Sequence, residues 1–462
     1  MLRRGFVFAQ AWPIILGQSL VPLAGVVNAA VIGRSSDAMI LAGVALGITT
    51  VNLVFWTFGF LRMGVTGVTA QAAGAGDQHL VRMILLRALL LGFGLGVALL
   101  ILSPIIVPAA LSLMHLPAAA AEPGHAFTAA RFFGAPAALA FYVINGWLLG
   151  VGRTRLALGC QIMFNGVNVL LNLLLVVGLG HGAWGAGLAT SLSEWIALGT
   201  GLFAVRRILG GRWWSVSAGE MFEGRAYRRL IMINADIMIR TIALLAIISW
   251  FARAGARLGP VPLAANHVLM QLVSVCAFVL DGFAFTAETQ IGAAFGARSR
   301  AAFLRAARLT AEFSIAGGVM FSAILALCGK YFIPLITRDA AVQAQADAML
   351  PYCALVPLVG VSSWLLDGIF LGAAQGRTMR NVAIATAALY LATDLILRRN
   401  GADGVWIALL CSYVYRAIAL GAALPRLVRQ VDPDSPPSRL GLSRRSPSLP
   451  SHPASITARN EP

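Results

Sequence analysis

Residues 145–154 read NGWLLGVGRT and residues 367–378 read DGIFLGAAQGRT, so one helix-and-loop pattern occurs twice, at a separation of 222 to 224 residues. Two further loop motifs recur in the same order, Gly74-Ala75 as Gly296-Ala297 and Gly182-Ala183-Trp184-Gly185 as Gly401-Ala402-Asp403-Gly404. Three matches at corresponding loops indicate an internal repeat. The chain is therefore built from two copies of one unit.

The composition indicates what each unit is made of. Of the 462 residues, 59% are hydrophobic and 11% are charged, which is more apolar surface than a soluble core absorbs. Runs of roughly 20 apolar residues, the length that crosses a bilayer, recur along the chain. We predict spans at residues 8–33, 40–72, 83–110, 126–150, 156–179, 184–205, 227–252, 262–295, 304–328, 348–373, 379–397 and 404–425. The predicted fold class is an all-α integral membrane protein of twelve transmembrane helices in two six-helix repeats, which are parallel because each unit has an even number of spans.

Arginine content differs between alternate loops and sets the orientation. Loops on the side of the N-terminus are rich in arginine, as at residues 206–229 and 298–308, and such loops stay in the cytoplasm. We therefore expect both termini to be cytoplasmic. The predicted organisation is an N-terminal six-helix lobe (1–206), a basic cytoplasmic linker (207–226), a C-terminal six-helix lobe (227–428) and a disordered cytoplasmic tail (429–462).

Several classes of function do not fit this sequence. The formal net charge of +17 would suggest nucleic acid as a partner of a soluble protein, but the basic residues lie mostly in short loops between apolar runs, where they direct topology. The five cysteines are scattered singly, without the spacing of a metal site or a disulfide framework. We find no phosphate-binding loop and no Gly-x-Ser-x-Gly elbow. We expect a monomer without enzymatic activity, cofactor, bound metal or nucleic-acid partner, in contact with membrane lipids.

Several short segments carry a resemblance to a known family. They are Val31-Ile32-Gly33-Arg34, Phe60-Leu61-Arg62-Met63 with Thr69-Ala70-Gln71, Gly146-Trp147-Leu148-Leu149-Gly150, Gly187-Leu188-Ala189-Thr190 and Leu366-Asp367-Gly368. In order and spacing they resemble the multidrug and toxic compound extrusion (MATE) family, and within it the DinF-like branch. The resemblance implies a multi-pass protein of the bacterial plasma (inner) membrane. It further implies a two-lobed antiporter that exports organic cations, drugs and other amphiphiles in exchange for H⁺ or Na⁺ by alternating access, with its cavity between the lobes.

Carboxylates inside the predicted spans are candidates for ion coupling, because a charged group at the centre of a bilayer costs roughly 2.5 to 3.5 kcal/mol on insertion scales. The candidates are Asp236, Asp281, Glu288 and Asp367 in the C-terminal lobe and Glu194 in the N-terminal lobe. Asp236 and Asp367 are the leading pair, because they resemble carboxylates that some relatives place in the seventh and tenth helices, and they are where Na⁺ would bind. For Asp236 the alternative is a neutralising pair with Arg240, four residues later on the same helix face. Asp281 and Glu288, seven residues apart on one face, either line the cavity or pack away from it.

The N-terminal lobe carries asparagines where the resemblance leads us to expect acids. MATE proteins commonly have an aspartate in the first span and another in the fifth, and this sequence has Asn28 and Asn172 there. Asparagine does not exchange a proton near neutral pH, which favours coupling in the C-terminal lobe. Asn28, Asn145, Asn168 and Asn172 form either a substrate-binding polar patch or interhelical hydrogen-bond glue. Pro13, inside the first span, is a candidate for bending that helix.

The main rival function is a flippase or exporter of a lipid or lipid-linked molecule, which shares the two-lobed plan. Lipid-linked oligosaccharide flippases typically have more spans and a strongly cationic cavity. The charges within the predicted spans of this chain are mainly acidic, which favours cationic cargo.

Overall fold

The computed structural model describes residues 4–20, 31, 38–113, 118–211, 214 and 216–431, and Asn28 and the predicted tail from residue 432 onward lie outside this part. The described residues are helical and include no strand. The main helices are α1 (Arg4–Leu20), α2 (Ala38–Thr57), α3 (Phe60–Gly74), α4 (Gln78–Leu113), α5 (Ala118–Phe132), α6 (Ala135–Gly150), α7 (Thr154–Asn172), α8 (Gly182–Leu209), α9 (Gly224–Arg257), α10 (Pro260–Gly296), α11 (Arg300–Ile336), α12 (Ala340–Gly372), α13 (Gly376–Leu397) and α14 (Gly401–Arg429).

The twelve predicted spans correspond to these helices. Helices α2 and α3 together form the second span, and α5 and α6 form the fourth, which is bent by 53°. In the described part of the chain, ten segments are long and apolar enough to cross a membrane if that bent pair counts as one. One of the ten, residues 376–429, contains both α13 and α14, and α1 is not among them because only 17 of its residues are described. Twelve spans in two repeats are therefore confirmed.

The bend in the fourth span is where the sequence-based bounds differ most from the structure. The prediction began this span at residue 126, whereas α5 begins at Ala118 and the helix breaks at Phe133 and Gly134. Pro136 stands in the first turn of α6, where it cannot donate the backbone hydrogen bond that would continue α5. Gly134 packs so closely against Ser191 of α8 that a Cβ atom would not fit.

Each lobe has an apolar core anchored by a buried tryptophan. In the N-terminal lobe the indole N–H of Trp147 donates to the Val81 carbonyl oxygen at 3.1 Å. In the C-terminal lobe the indole N–H of Trp406 donates to the Asn266 side-chain oxygen at 2.9 Å. Both rings are fully buried, and these hydrogen bonds satisfy the one polar group that each ring takes into the core. Each of these hydrogen bonds therefore connects two helices of one lobe.

The repeat is visible in the contacts between α3 and α10, which bring the lobes together. Gly74 packs against the Ala293 carbonyl group, and Gly296 packs against the Gln71 carbonyl group, in both cases without room for a Cβ atom. Adding 222 to 71 and 74 gives 293 and 296, so the two contacts exchange under the repeat. A pseudo-two-fold axis therefore passes between these helices, along the membrane normal as expected for a parallel repeat.

Further close contacts at the same end obey the same rule. Gly67 packs against the Leu371 carbonyl group, and at the equivalent position the Thr289 hydroxyl donates to the Leu149 carbonyl oxygen at 3.2 Å. We call this region the cytoplasmic seal, because the helices end here in the arginine-rich loops; it comprises Gly67, Gln71, Gly74, Leu149, Thr289, Gly292, Ala293, Gly296, Leu371 and Gly372. The structure therefore describes a state in which the lobes touch at their cytoplasmic ends.

The predicted linker is attached to the N-terminal lobe. It includes a one-turn helix, Ala218–Met221. The Arg87 guanidinium of α4 donates to the Glu220 carbonyl oxygen at 2.5 Å and to the Glu223 carboxylate at 3.2 Å. Although the linker is basic overall, two of its acidic residues make this attachment.

Candidate functional site

Six charged side chains come together where the lobes meet, just beyond the cytoplasmic seal. We call them the central charge cluster; they are Arg62 of α3, Arg240 of α9, Asp281 and Glu288 of α10, Asp367 of α12 and Arg416 of α14. Helix α3 belongs to the N-terminal lobe and the other helices to the C-terminal lobe. Because three carboxyl groups face three guanidinium groups, the expectation of mainly acidic charge is wrong for this site.

Asp367 is held by two arginines of its own lobe. Its carboxylate forms an ion pair with Arg240 and lies 3.7 Å from the Arg416 guanidinium. Arg416 in turn donates to the Ser363 hydroxyl at 2.8 Å. All four side chains are buried, so the pair is shielded from water and its attraction is stronger than on a surface.

Asp236 pairs with a different residue from the one the sequence suggested. Its carboxylate accepts a hydrogen bond from Arg380 of α13 at 2.6 Å, whereas Arg240 reaches across to Asp367. The predicted pair of Asp236 with Arg240 is therefore wrong. Spacing of four residues permits such a pair, but at this point of α9 the neighbouring helices α12 and α13 present better partners. The two leading candidates are consequently separate, each with its own arginine.

Asp281 and Arg62 face each other across the junction of the lobes. Asp281 is half-buried and lies within electrostatic reach of Arg62, Arg240 and Asp367. The Arg62 guanidinium lies 4.0 Å from the centre of the Phe285 ring of α10, a cation–π contact between the lobes. Among the described residues, one terminal nitrogen of Arg62 is buried without a hydrogen-bond partner. Arg62 therefore contacts the C-terminal lobe through an aromatic ring and keeps one donor unused by the described residues.

Glu288 is the most deeply buried member of the cluster, with none of its surface exposed. Both of its carboxyl oxygens lack a hydrogen-bond partner among the described residues. Thr66 of α3 lies beside it, but the Thr66 hydroxyl donates to the Arg62 carbonyl oxygen at 2.8 Å instead. Buried polar groups are nearly always hydrogen-bonded, so this unpartnered carboxyl group requires an explanation.

Glu194, the candidate of the N-terminal lobe, lies outside the cluster. Its two carboxylate oxygens accept hydrogen bonds from Arg131 at 2.5 and 2.6 Å. Arg131 also lies over the Phe55 ring at 4.7 Å. A bidentate pair of this kind fixes both side chains, which fits a structural role in joining α5 to α8.

The candidate asparagines of α7 are buried inside the N-terminal lobe. The Asn168 amide donates to the Thr190 hydroxyl at 3.0 Å, and the Asn172 amide donates to the Asn168 carbonyl oxygen at 2.9 Å. Within the described residues their side-chain oxygens accept no hydrogen bond. Asn145 is half-buried on α6. The structure therefore shows one hydrogen bond between helices, from Asn168 to Thr190 of α8, one within α7, and two side-chain oxygens that accept no hydrogen bond from a described residue.

Two more features of α1 and α7 bear on the predictions. Pro13 is buried inside α1, and this helix continues beyond it to Leu20. Directly after Asn172, residues Leu173–Gly178 form a π-helical segment. Such segments are rare and occur often at functional sites.

The C-terminal lobe contains a cavity of about 170 Å³ next to the cluster. Its walls are mainly apolar, and Arg416 supplies its charge; the lining residues are Leu244, Ile247, Ile248, Trp364, Thr386, Leu409, Ser412, Tyr413 and Arg416. In the described part of the chain, no group of three or more His, Cys, Asp or Glu side chains is placed to hold a metal ion.

Sequence reasoning missed three members of these sites. Arg131 stands inside the predicted fourth span, and an arginine in a span is itself a signal of a carboxylate partner. Arg380 lies at the cytoplasmic start of α13 and reads as a topology signal, so no signal linked it to Asp236. Thr66 would have been found by extending the repeat, because adding 222 to its number gives Glu288.

Comparisons with known proteins agree with this architecture. The family model MatE matches residues 13–174 and again residues 237–396, at the offset found in the loop motifs. The chain is 37% identical over 415 residues to DNA damage-inducible protein F of Escherichia coli (strain K12), covering 89% of this chain and 90% of that protein. It is 26% identical over 421 residues to a probable multidrug resistance protein NorM of Agrobacterium fabrum, covering 85% and 86%. A crystal structure of MATE in the bent conformation matches with a TM-score of 0.84 at 18% identity, covering 92% of this chain and 95% of that one.

Proposed function

Because the chain belongs to the MATE family, whose members are membrane transporters and not enzymes, we propose a transport function for it. We propose that it exports drugs and organic cations from the bacterial cytoplasm across the inner membrane. We propose further that it is a secondary active antiporter, with H⁺ as the coupling ion and Na⁺ as the alternative.

One observation carries the proposal: the lobes touch in a glycine-rich seal at their cytoplasmic ends, and a cluster of buried charges bridges them directly beyond it. Contacts between backbones without side chains in between can separate and close again as rigid surfaces. A charged group that water reaches in one state and not in the other supplies the differential binding that a coupled transporter needs.

The arrangement of the carboxylates favours protons over Na⁺. Asp236 and Asp367 each have an arginine as their partner, and this positive charge opposes the binding of a proton and of Na⁺ alike, so the number of ligands that each ion needs decides between them. A proton binds to the carboxyl oxygen itself and needs no oxygen cage, whereas a metal cation requires several oxygen ligands.

The test is transport of a fluorescent cationic dye into inverted membrane vesicles, with the pH gradient and the Na⁺ gradient imposed separately. Wild-type protein should accumulate dye in response to the pH gradient, and Asp367→Asn and Asp236→Asn should each reduce this accumulation at least tenfold. The matched control is Asp347→Asn, an exposed aspartate on the same helix as Asp367, which should transport as wild type. Unchanged accumulation in both Asp367→Asn and Asp236→Asn would overturn coupling in the C-terminal lobe.

The rival function has its own readout in the same vesicles. A lipid exporter should move a fluorescently labelled phospholipid between leaflets and leave the dye behind. Lipid movement without dye accumulation would replace the proposal by that alternative.

A further inference from the structure

Glu288 lies opposite Thr66, the residue at the equivalent position of the other repeat. Thr66 of α3 and Glu288 of α10 are separated by the 222-residue offset, and both are fully buried beside each other. Their backbones are packed in the same way, because Gly150 contacts the Thr66 carbonyl group and Gly372 contacts the Glu288 carbonyl group. The pseudo-two-fold axis of the seal therefore passes next to a single carboxyl group.

The surroundings of this carboxyl group contain charges and one hydroxyl within hydrogen-bonding reach, that of Thr66, which donates its proton to the Arg62 carbonyl oxygen instead. The charged groups that face it are Arg62 from α3 and Arg240 from α9, with Asp281 two turns away on its own helix. Neither arginine donates a hydrogen bond to it, because Arg240 is bound to Asp367 and Arg62 lies over Phe285. From α12 the neighbour is the backbone of Gly372. The closed seal thus surrounds Glu288 with atoms that cannot replace water around a carboxylate.

An ionised carboxylate without hydrogen-bond donors is very costly to bury, whereas a protonated carboxyl group is tolerated. The closed seal is therefore compatible with Glu288 in its protonated form. If α3 moves away from α10, the wall formed by Thr66 is lost and cytoplasmic water reaches the carboxyl group. The acid can then release its proton to that water and remain as a hydrated carboxylate.

We propose that Glu288 is the site from which the exchanged proton is released to the cytoplasm, and that the seal closes only when the charge of Glu288 is neutralised. The exported cation offsets this charge when the seal closes, and a proton from the outer side replaces the cation before the seal opens again. The proposal rests on the proposed antiport of protons. The O–H bond of the carboxylic acid breaks on opening, and the proton passes to water. Asp281 lies seven residues earlier on the same face, roughly 10 Å towards the outer side at 1.5 Å per residue, and offers the preceding proton position.

The test separates proton coupling from substrate passage. Glu288→Gln keeps the shape of the side chain but cannot release a proton, so dye accumulation driven by a pH gradient should fall much further than dye exchange between the two sides without a gradient. Accumulation driven by a pH gradient should fall at least tenfold, and its dependence on cytoplasmic pH should become flat. Glu288→Asp should restore driven accumulation with a displaced pH profile. Glu312→Gln, the same substitution at a surface residue of α11 paired with Arg4, is the matched control and should behave as wild type.

Infrared difference spectra provide a second measurement that does not depend on transport. The spectrum of wild type minus Glu288→Gln at neutral pH should contain the C=O stretching band of a protonated carboxylic acid. If this band is absent, or if Glu288→Gln retains driven accumulation with the wild-type pH profile, the inference is wrong. Absence of pH-driven accumulation in wild type would instead refute the proposed antiport itself. Should Glu288→Gln fail to insert, Glu288→Asp with an unchanged pH profile would also count against the inference.

Discussion

Replacing Arg131 by methionine should destabilise the protein strongly and specifically, because it leaves Glu194 as an uncompensated acid inside the N-terminal lobe. The pair contributes two hydrogen bonds of 2.5 and 2.6 Å, and 5% of Glu194 and 9% of Arg131 are exposed. Breaking a buried ion pair by removing one partner costs about 3–5 kcal/mol, most of which is the burial of the remaining charge. Loss of the cation–π contact with Phe55 adds about 1 kcal/mol.

The double variant Arg131→Met with Glu194→Gln distinguishes this cause from a loss of packing. Removing both charges leaves neutral groups of similar size, so most of the stability should return. The free energy of unfolding is measured in detergent solution by denaturant titration, following tryptophan fluorescence and helical circular dichroism together. A destabilisation below about 1 kcal/mol in Arg131→Met, or a double variant no more stable than the single one, would refute the reasoning.

Three further outcomes follow from the seal and the core. Gly296→Leu should abolish driven dye accumulation, because the leucine side chain would collide with the backbone of α3. Its control is Gly94→Leu on α4, which has open space around it and should transport as wild type. Equal activity of the two variants would contradict the tight seal. Exchanging the residues at the axis, with Thr66→Glu and Glu288→Thr in one chain, should restore part of the pH-driven accumulation that Glu288→Thr alone loses. No restoration would show that an acid beside the axis is not sufficient. Trp406→Phe should lower the free energy of unfolding by about 1–3 kcal/mol, since a buried acceptor loses its donor, and a smaller change in denaturant titration would count against this hydrogen bond.

The fold follows from the sequence because its signals are long and periodic. Twelve apolar runs and a 222-residue offset predict two parallel six-helix lobes, and the structure places Gly74 and Gly296 in equivalent contacts, as their loop motifs require. The bend at Gly134 was not predicted. Pro136 was visible as a residue that can bend a helix, but how far a helix bends depends on neighbours such as Ser191, which the local sequence does not specify.

The site was less predictable, because its arginine side chains are long enough to pair with acids on several neighbouring helices. The carboxylates in the spans were recognised, yet their partners come from other helices, and a guanidinium on a long side chain can select any acid within several ångströms. Local spacing favoured Asp236 with Arg240, whereas packing gives Asp236 to Arg380 and Arg240 to Asp367. Which pair forms depends on helix positions that are not encoded within a single helix.

A symmetric seal cannot by itself couple transport to an ion. Contacts such as that of Gly74 with Ala293 and its counterpart contain no group that binds a proton, so the free energy of closing them does not depend on pH. One acid beside the axis changes this. If the closed state holds one more proton than the open state, its free energy relative to the open state falls by about 1.4 kcal/mol for each unit by which the pH falls. A second acid at the position of Thr66 would place two carboxyl groups side by side, where they would tend to share one proton. The asymmetry of the two repeats at this one pair of residues is therefore sufficient to connect closure of the seal to the cytoplasmic proton concentration.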